Sequence, residues 1–332
     1  GITGTPTVDT SSGTLYAAAM IARDAYELYA VDLATGIVVF HRPLDPAGMD
    51  AAAAGQRGAL ALQQGRVYVP FGGRFGDCGN YRGQVVAASA SDPSAPLLAY
   101  TTPARRAGIW APGGVAIADD GTLYVATGNG DANGPEGRTE AVLALSPTLD
   151  EVSSWQPTDW QALDRSDTDV GSVPPALLQD VGLVFQSGKN GTGYLLTLGA
   201  LGGVGGEVAA GSVPAGCGGV FGATAYASPM LYVPCGSRVI ALQIGSNPPT
   251  FTLAWRGPDE AGRPTVGSPI VAAGAVWDVD LAGQLFALDA ATGAVRFQTT
   301  IPGQPAHFAT LAFGGGQIYT ATRGGVAAFQ LS

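Results

Sequence analysis

The sequence predicts an all-β protein, and three observations lead there: abundant glycine, scarce charge and a repeated short apolar pattern. The 332 residues include 50 Gly and 23 Pro, and the glycines do not recur at every third position. Because glycine adopts positive φ without a steric penalty, this abundance is typical of many tight turns between short strands. Only 13% of the residues are charged and 46% are hydrophobic, a composition that excludes a disordered chain.

Charge and hydropathy exclude two further classes of protein. The chain has 16 basic and 26 acidic residues and a net charge of −10. Affinity for nucleic acid depends mainly on Lys and Arg, so we expect no nucleic-acid partner. No apolar run approaches the roughly 18 residues that a membrane-spanning helix needs, so we expect no integral membrane segment.

An internal repeat gives the architecture. The pattern Gly-x-aliphatic-aromatic begins at Gly13, Gly65, Gly121, Gly182, Gly274 and Gly316, with a variant at Pro229. An apolar pentad follows every copy, from Leu28 in the first to Val326 in the last. The repeats are therefore about 50 residues long, which is the length of one propeller blade.

Each repeat divides into four strands, and this division predicts a single seven-bladed β-propeller of four-stranded antiparallel blades over residues 1–332. We place the blades at approximately 4–46, 58–103, 113–160, 172–214, 221–257, 266–302 and 307–332. The last blade lacks its outer strand unless a segment upstream of Gly1 supplies it. Five fourth strands end near an aromatic residue, which we expect to fill the wedge between neighbouring blades: Phe40, Tyr100, Trp155, Trp255 and Phe297.

Two turns carry a family resemblance. Residues 28–36 and 285–293 contain Ala-x-Asp-x-x-Thr-Gly after an apolar strand, and this pattern resembles the repeat of the pyrroloquinoline-quinone-like (quinoprotein-type) β-propellers. Residues 128–130 and 187–191 also resemble bacterial secreted members. In the turn, Asp caps through its side chain and Gly takes the left-handed position.

The resemblance implies two different functions. Quinoprotein dehydrogenases bind pyrroloquinoline quinone and Ca²⁺ on one face of the ring through a Glu, an Asn and an Asp, often below a disulfide of adjacent cysteines, which this chain lacks. Asp131, Asn133 and Glu136 form an oxygen-rich loop that has some likeness to a Ca²⁺ site, but it departs from the EF-hand pattern, and a plain Asn-Gly-type turn is the favoured interpretation. Resemblance to envelope-assembly propeller lipoproteins implies a scaffold without a catalytic role.

One face of the propeller is the expected binding surface. Strand alternation places the fourth-to-first and second-to-third connections on one face, and ten of the fifteen arginines fall there. Functional loops collect on such surfaces, while solvation alone also explains charged loops. The ligand-binding candidates are Arg23, Arg74, Arg105, Arg106, Trp110, Lys189, His307 and Arg323.

The three cysteines indicate a compartment. If Ser228 and Pro229 turn the first hairpin of blade 5, Cys235 ends its strand on the face from which Cys217 approaches, and a Cys217–Cys235 disulfide is reachable. Such a bond implies an oxidising environment. Cys78 is left unpaired; three reduced thiols in a cytosolic protein are the alternative.

The sequence thus predicts a non-catalytic scaffold that is secreted, periplasmic or at the cell surface. It binds a protein or an extracellular polymer through the charged loop face and needs no cofactor. One alternative is a quinoprotein dehydrogenase that depends on pyrroloquinoline quinone and Ca²⁺. The other is a subunit of an extracellular filament or surface assembly that uses the open edge of blade 7.

Overall fold

The chain forms a seven-bladed β-propeller in the computed structural model, as the repeat predicts. The structure describes residues 1–74, 76–213, 217–236, 238–258, 267–305, 308 and 310–331. Successive strands within each blade pair antiparallel, in chain order from the axis to the rim.

Blades 1 to 3 follow the four-strand plan, with one strand added to blade 2. Blade 1 contains β1 (Thr7–Asp9), β2 (Thr14–Ala22), β3 (Ala25–Asp32) and β4 (Val38–Pro43). Blade 2 contains β5 (Ala54–Gly55), β6 (Ala61–Gln63), β7 (Arg66–Gly73), β8 (Gln84–Ser89) and β9 (Leu98–Thr101), where β5 pairs with the end of β7 that lies beyond β6. Blade 3 contains β10 (Ala116–Ile117), β11 (Leu123–Ala126), β12 (Val142–Leu145) and β13 (Glu151–Gln156).

Blades 4 to 7 complete the ring. Blade 4 contains β14 (Ala176–Leu178), β15 (Leu183–Ser187), β16 (Thr192–Thr197) and β18 (Ala209–Ser212), and the intervening β17 (Gly203–Val204) pairs parallel with β13. Blade 5 contains β19 (Ala225–Ala227), β20 (Met230–Cys235), β21 (Arg238–Ser246) and β22 (Pro249–Gly257). Blade 6 contains β23 (Ile270–Ala272), β24 (Ala275–Val279), β25 (Gln284–Asp289) and β26 (Val295–Thr300). Blade 7 contains β27 (Leu311–Gly314), β28 (Gln317–Thr322) and β29 (Gly325–Gln330), and three strands are all that the described residues give it, as expected.

Helical structure is confined to the connections. The α-helix α1 (Trp160–Ser166) and the 3₁₀ helix Val170–Ser172 lie between β13 and β14, and two further 3₁₀ helices span Pro135–Gly137 and Gln179–Val181. None of the helices in the described ranges has the length and apolar character needed to cross a lipid bilayer.

The Asp-x-x-Thr-Gly turns fold as their sequence predicts. In blade 1, the Asp32 carboxylate accepts hydrogen bonds from the backbone N–H of Thr35 at 2.8 Å and from its hydroxyl at 2.6 Å. Gly36 follows with φ of 71°, a left-handed conformation that glycine adopts without strain. Asp289 caps the corresponding turn of blade 6 in the same way. These side chains therefore fix the turn between the third and fourth strands.

The core is divided into interfaces between consecutive blades rather than one central mass. Six clusters of buried apolar residues each join a blade to the next, such as Leu28 of blade 1 with Val69 of blade 2. Of the aromatic residues predicted to fill the wedge between blades, Trp155 is fully buried and Tyr100 and Trp255 are also buried. Phe297 is 45% exposed. Blade-to-blade packing thus supplies most of the apolar burial.

Candidate functional site

The fourth-to-first and second-to-third connections converge around the axis on one face, which we call the loop face. Eight of their side chains line a concave site, named the axial funnel here. They come from six connections of blades 1 to 4 and are Arg57, Asp77, Tyr81, Trp110, Asn129, Asp167, Asp169 and Lys189.

Close backbone approach brings these connections together. A Cβ atom at Gly128 would lie 2.7 Å from Asp169 Oδ1 and 2.9 Å from Trp110 Nε1. Only glycine leaves room for both side chains at that distance. The segment 128–130, which carries part of the family resemblance, therefore lets the Trp110 and Asp169 side chains both pack against the backbone of Gly128.

Lys189 and two aspartates form an ion-pair cluster on one side of the funnel. The Lys189 ammonium lies 2.9 Å from Asp167 Oδ1 and 3.1 Å from the Asp167 carbonyl, and it also contacts Asp169 Oδ2. The Asp169 side chain is only 3% exposed. Burial opposes the charge of Lys189, but its hydrogen bonds to the two carboxylates outweigh that effect and raise its pKa above the ordinary value. All three ammonium donors are therefore used.

Trp110 contacts two cations through its indole ring. The Arg57 guanidinium carbon is 4.6 Å from the centroid of the indole ring, and Lys189 Nζ is 5.7 Å from it. Both distances are within the range of cation–π attraction. Trp110 thus stabilises the position of the Arg57 guanidinium in the funnel.

A hydrogen-bond network connects the other polar groups. The Asp77 carboxylate accepts from the Tyr81 hydroxyl and, at 3.3 Å, from Asn129 Nδ2. The backbone N–H of Asn129 donates to Asp169 Oδ1 at 2.8 Å. Burial, together with the nearby Asp77, raises the pKa of Tyr81 far above its ordinary value, so its hydroxyl remains a donor. These contacts fix the carboxylates before any ligand arrives.

Glu140 lies directly beneath this network and is fully buried. Its Oε2 accepts from the backbone N–H of Val170 at 2.6 Å, next to Asp169, while Oε1 has no hydrogen-bond partner among the described residues. Burial, and secondarily the charge of Asp169, raises the pKa of Glu140 to about 9. At neutral pH the side chain is therefore an uncharged acid that supports the backbone of the Asp169 segment.

The structure places the candidate residues in different parts of the loop face. Trp110 and Lys189 enter the funnel, and Arg323 lies exposed after β28. Arg74 donates to the carbonyls of Arg23 at 2.7 Å and Ala52 at 3.3 Å, which ties two connections together. His307 lies outside the described residues.

Arg105 and Arg106 form a separate pair with an acidic neighbour. Each guanidinium lies 3.6 Å from the carboxylate of Asp131. Asp131 was expected to bind Ca²⁺ with Asn133 and Glu136. In the structure, its carboxylate is instead paired with two arginines. The calcium site at these three residues stays a prediction that their contacts do not support.

The fit of a quinone with Ca²⁺ can be judged from the donor groups themselves. Ca²⁺ takes six to eight oxygen ligands, usually including several carboxylates. In the parts of the chain that the structure describes, no three acidic, His or Cys side chains converge as a metal site. In the funnel, the Lys189 ammonium takes the position between Asp167 and Asp169 that a cation would occupy. The described donor set does not fit such a cofactor site.

The predicted disulfide is present. Cys217 and Cys235 are bonded, with their Cα atoms 4.7 Å apart, and Cys235 is fully buried at the end of β20. Ser228 and Pro229 form the two-residue turn between β19 and β20, which is the turn that the predicted disulfide depends on. Cys78 is exposed and free.

Sequence reasoning missed five residues of the site: Arg57 as an individual candidate, Asp77, Tyr81, Asn129 and the buried Glu140. Asp167 and Asp169 were not among the ligand-binding candidates either. Their signal was the glycine-rich loops themselves, since segments 72–83 and 128–130 hold most of them. The approach of one loop to another depends on the tertiary structure, and the positions of the glycines in the sequence do not reveal it.

Comparison with known proteins supports the fold. No protein-family model matches the chain, and no curated protein matches it in sequence. Among solved structures, it is similar to a quinohemoprotein alcohol dehydrogenase from Pseudomonas putida HK5, with TM-score 0.67 and 15% identity over 93% of this chain. The chain spans 60% of the length of that enzyme.

Two further structures show the range of proteins that share the architecture. A europium-containing methanol dehydrogenase gives TM-score 0.65 and 14% identity over 96% of this chain and 72% of its own. BamB from Moraxella catarrhalis gives TM-score 0.53 and 14% identity over 96% of this chain and 93% of its own. At these identities the likeness concerns the fold, because one fold carries many functions.

Proposed function

We propose that the protein is a non-catalytic scaffold of an extracytoplasmic compartment that binds a partner protein through the loop face. The observation that carries this proposal is the arrangement of the funnel, where Lys189 pairs with Asp167 and Asp169 and where Trp110 contacts the Arg57 guanidinium. Such a preorganised polar surface favours recognition rather than proton transfer.

The disulfide supports the proposed compartment. A bond between Cys217 and Cys235 persists where the surroundings are oxidising. The resemblance to envelope-assembly propellers supports a protein partner rather than a polymer.

The alternative of a quinoprotein dehydrogenase rests on the likeness to the two dehydrogenase structures and on the tryptophan in the funnel. It requires Ca²⁺ and quinone to bind together. A ligand that binds the native state raises the melting temperature of a protein. If the protein is a scaffold, adding quinone together with Ca²⁺ should leave its melting temperature independent of the Ca²⁺ concentration. A calcium-dependent rise accompanied by quinone-dependent alcohol oxidation would replace the scaffold with the enzyme.

Site-specific crosslinking tests the partner directly. We would introduce a photoreactive amino acid at Arg105 on the loop face and, as the control, at the exposed Arg256 on the outer strand β22. In the native host, the loop-face position should give one discrete adduct that the rim position does not give. The partner identified by mass spectrometry should then bind wild type and R256E equally, and R105E/R106E about tenfold or more weakly, as expected for loss of charge complementarity. Equal adducts at both positions, or equal binding by the charge-reversed variant, would contradict the proposal.

Assembly through the edge of blade 7 remains the second alternative, because β29 has no outer neighbour among the described residues. An unpaired edge strand can accept a strand from another chain. Self-association of the purified protein that Val326→Lys on β29 abolishes would favour it.

A further inference from the structure

A chamber of about 460 Å³ opens beside Trp110 on the axis. Residues of blades 7 and 1 and the connections that lead into blades 2 and 3 enclose it. Among the described residues, its apolar wall consists of Pro6, Trp110, Pro112, Phe308 and Ala321, and the charged residue that lines it is Arg57. The chamber is large enough for a small organic molecule with one polar end.

Arg57 differs from every other charged group in the funnel. A guanidinium has five N–H donors, yet within the described ranges no acceptor is hydrogen-bonded to Arg57 and no carboxylate lies within 4 Å of it. Lys189, by contrast, gives its donors to Asp167 and Asp169, and Asp77 accepts from Tyr81 and Asn129. Arg57, the cation that faces the chamber, is thus the charged group of the funnel whose hydrogen-bond donors have no partner among the described residues.

The geometry of the group selects the ligand. The Arg57 guanidinium is planar and supported by the Trp110 indole, so its N–H edge is available to a planar acceptor. A carboxylate matches that edge with two parallel hydrogen bonds. A phosphate dianion would bring a second negative charge into the field of Asp77 and Asp169, which already act on Arg57.

We propose that the chamber binds a small monocarboxylate with an aromatic or aliphatic body, with the carboxylate on Arg57 and the body against Trp110 and Phe308. This site does not depend on the partner protein proposed above. A free carboxylic acid and the C-terminal residue of a peptide offer the same chemistry, so the test includes both sources.

Calorimetric titration of the purified full chain provides the test. The probes are 3-phenylpropionate, its neutral amide, phenyl phosphate, and the peptide acetyl-Ala-Phe with a free or an amidated C-terminus. We expect the carboxylate to bind at least about tenfold more tightly than the amide, because hydrogen bonds to charged groups are the stronger ones. Tighter binding of the free peptide than of phenylpropionate would assign the site to a peptide terminus, and the reverse order to a free acid; either result supports the proposal.

Two variants assign the affinity to Arg57. R57Q should weaken carboxylate binding by about 10- to 100-fold without changing the affinity for the amide, and R57K, which keeps the charge but lacks the planar fork, should fall between. R165Q, at the exposed Arg165 of α1 on the same face but outside the chamber, is the matched control and should bind as wild type does.

Three results would overturn the proposal. They are equal affinity of wild type for acid and amide, tighter binding of phenyl phosphate than of phenylpropionate, and carboxylate binding that R57Q leaves unchanged. Absence of binding by every probe at millimolar concentration would also overturn it. The comparison of acid with amide uses wild type alone, so it holds even if a variant fails to fold.

Discussion

At the scale of single residues, Glu140 is a buried acid whose ionisation the folded protein opposes. The folded protein keeps its proton up to a pH of about 9, whereas the unfolded chain, with a pKa of 4.5, loses it far earlier. Unfolding between these two pH values therefore releases a proton, and this group makes the free energy of unfolding fall as pH rises, by up to about 1.4 kcal/mol per pH unit. Below pH 4.5 its contribution is complete and constant.

Glu140→Gln should remove this dependence, because glutamine keeps an acceptor for Val170 N–H and cannot ionise. We expect urea denaturation to give similar stabilities for variant and wild type at pH 5 and a more stable variant at pH 8. The exposed Glu136→Gln is the control and should leave the pH profile as it is. Parallel profiles for wild type and E140Q would show that Glu140 is not the titrating group.

At the level of single residues, the sequence identified site residues that belong to rare residue types. It missed residues whose role depends on their burial in the folded chain. Lys189 is the only lysine and Trp110 one of five tryptophans, so both stood out. Glu140 does not, because its burial and its φ of 49° result from the way the loop folds back under Asp169. Positive φ in a non-glycine residue is a property of the folded chain that no local pattern encodes.

At the scale of strands, local chemistry determined most of what could be predicted. The Asp-x-x-Thr-Gly turns and the Ser228–Pro229 hairpin depend on residues close in sequence, and their geometry agrees with expectation. The wedge aromatics depend on the neighbouring blade, and so the outcome varies: Trp155 is buried and donates to Glu207 at 2.8 Å, while Phe297 is half-exposed. Periodicity identifies the strand, but not how closely the next blade covers it.

The Cys217–Cys235 bond ties the connection into blade 5 to the end of β20 across a sequence separation of 18. Closing a loop of that size removes conformational entropy from the unfolded chain, worth about 3 kcal/mol. The double variant C217A/C235A should therefore lower the free energy of unfolding by about 2 to 4 kcal/mol in urea denaturation under oxidising conditions. Cys78→Ser is the matched control and should change it by less than about 0.5 kcal/mol, since Cys78 is exposed and unbonded. A double variant as stable as the control would mean that the bond does not constrain this connection.

At the scale of the whole ring, the apolar interfaces are unequal. Each of the six described clusters joins consecutive blades, from blades 1 and 2 round to blades 6 and 7, and none of them joins blade 7 to blade 1. At that junction apolar side chains remain exposed, including Val326 at 73% and Val8 at 40%. A blade packed on one side only should open more readily than one packed on both.

Hydrogen exchange should resolve this difference along the ring. We expect the backbone amides of β28 to have protection factors about tenfold or more below those of β7, because blade 2 packs against both neighbours and β7 is almost wholly buried. Amides of β24 in blade 6 provide the internal comparison, since that blade also has two packed faces. If β28 and β7 exchange at the same rate and only through global unfolding, the ring closes as one cooperative unit and the junction between blades 7 and 1 is no weaker than the rest.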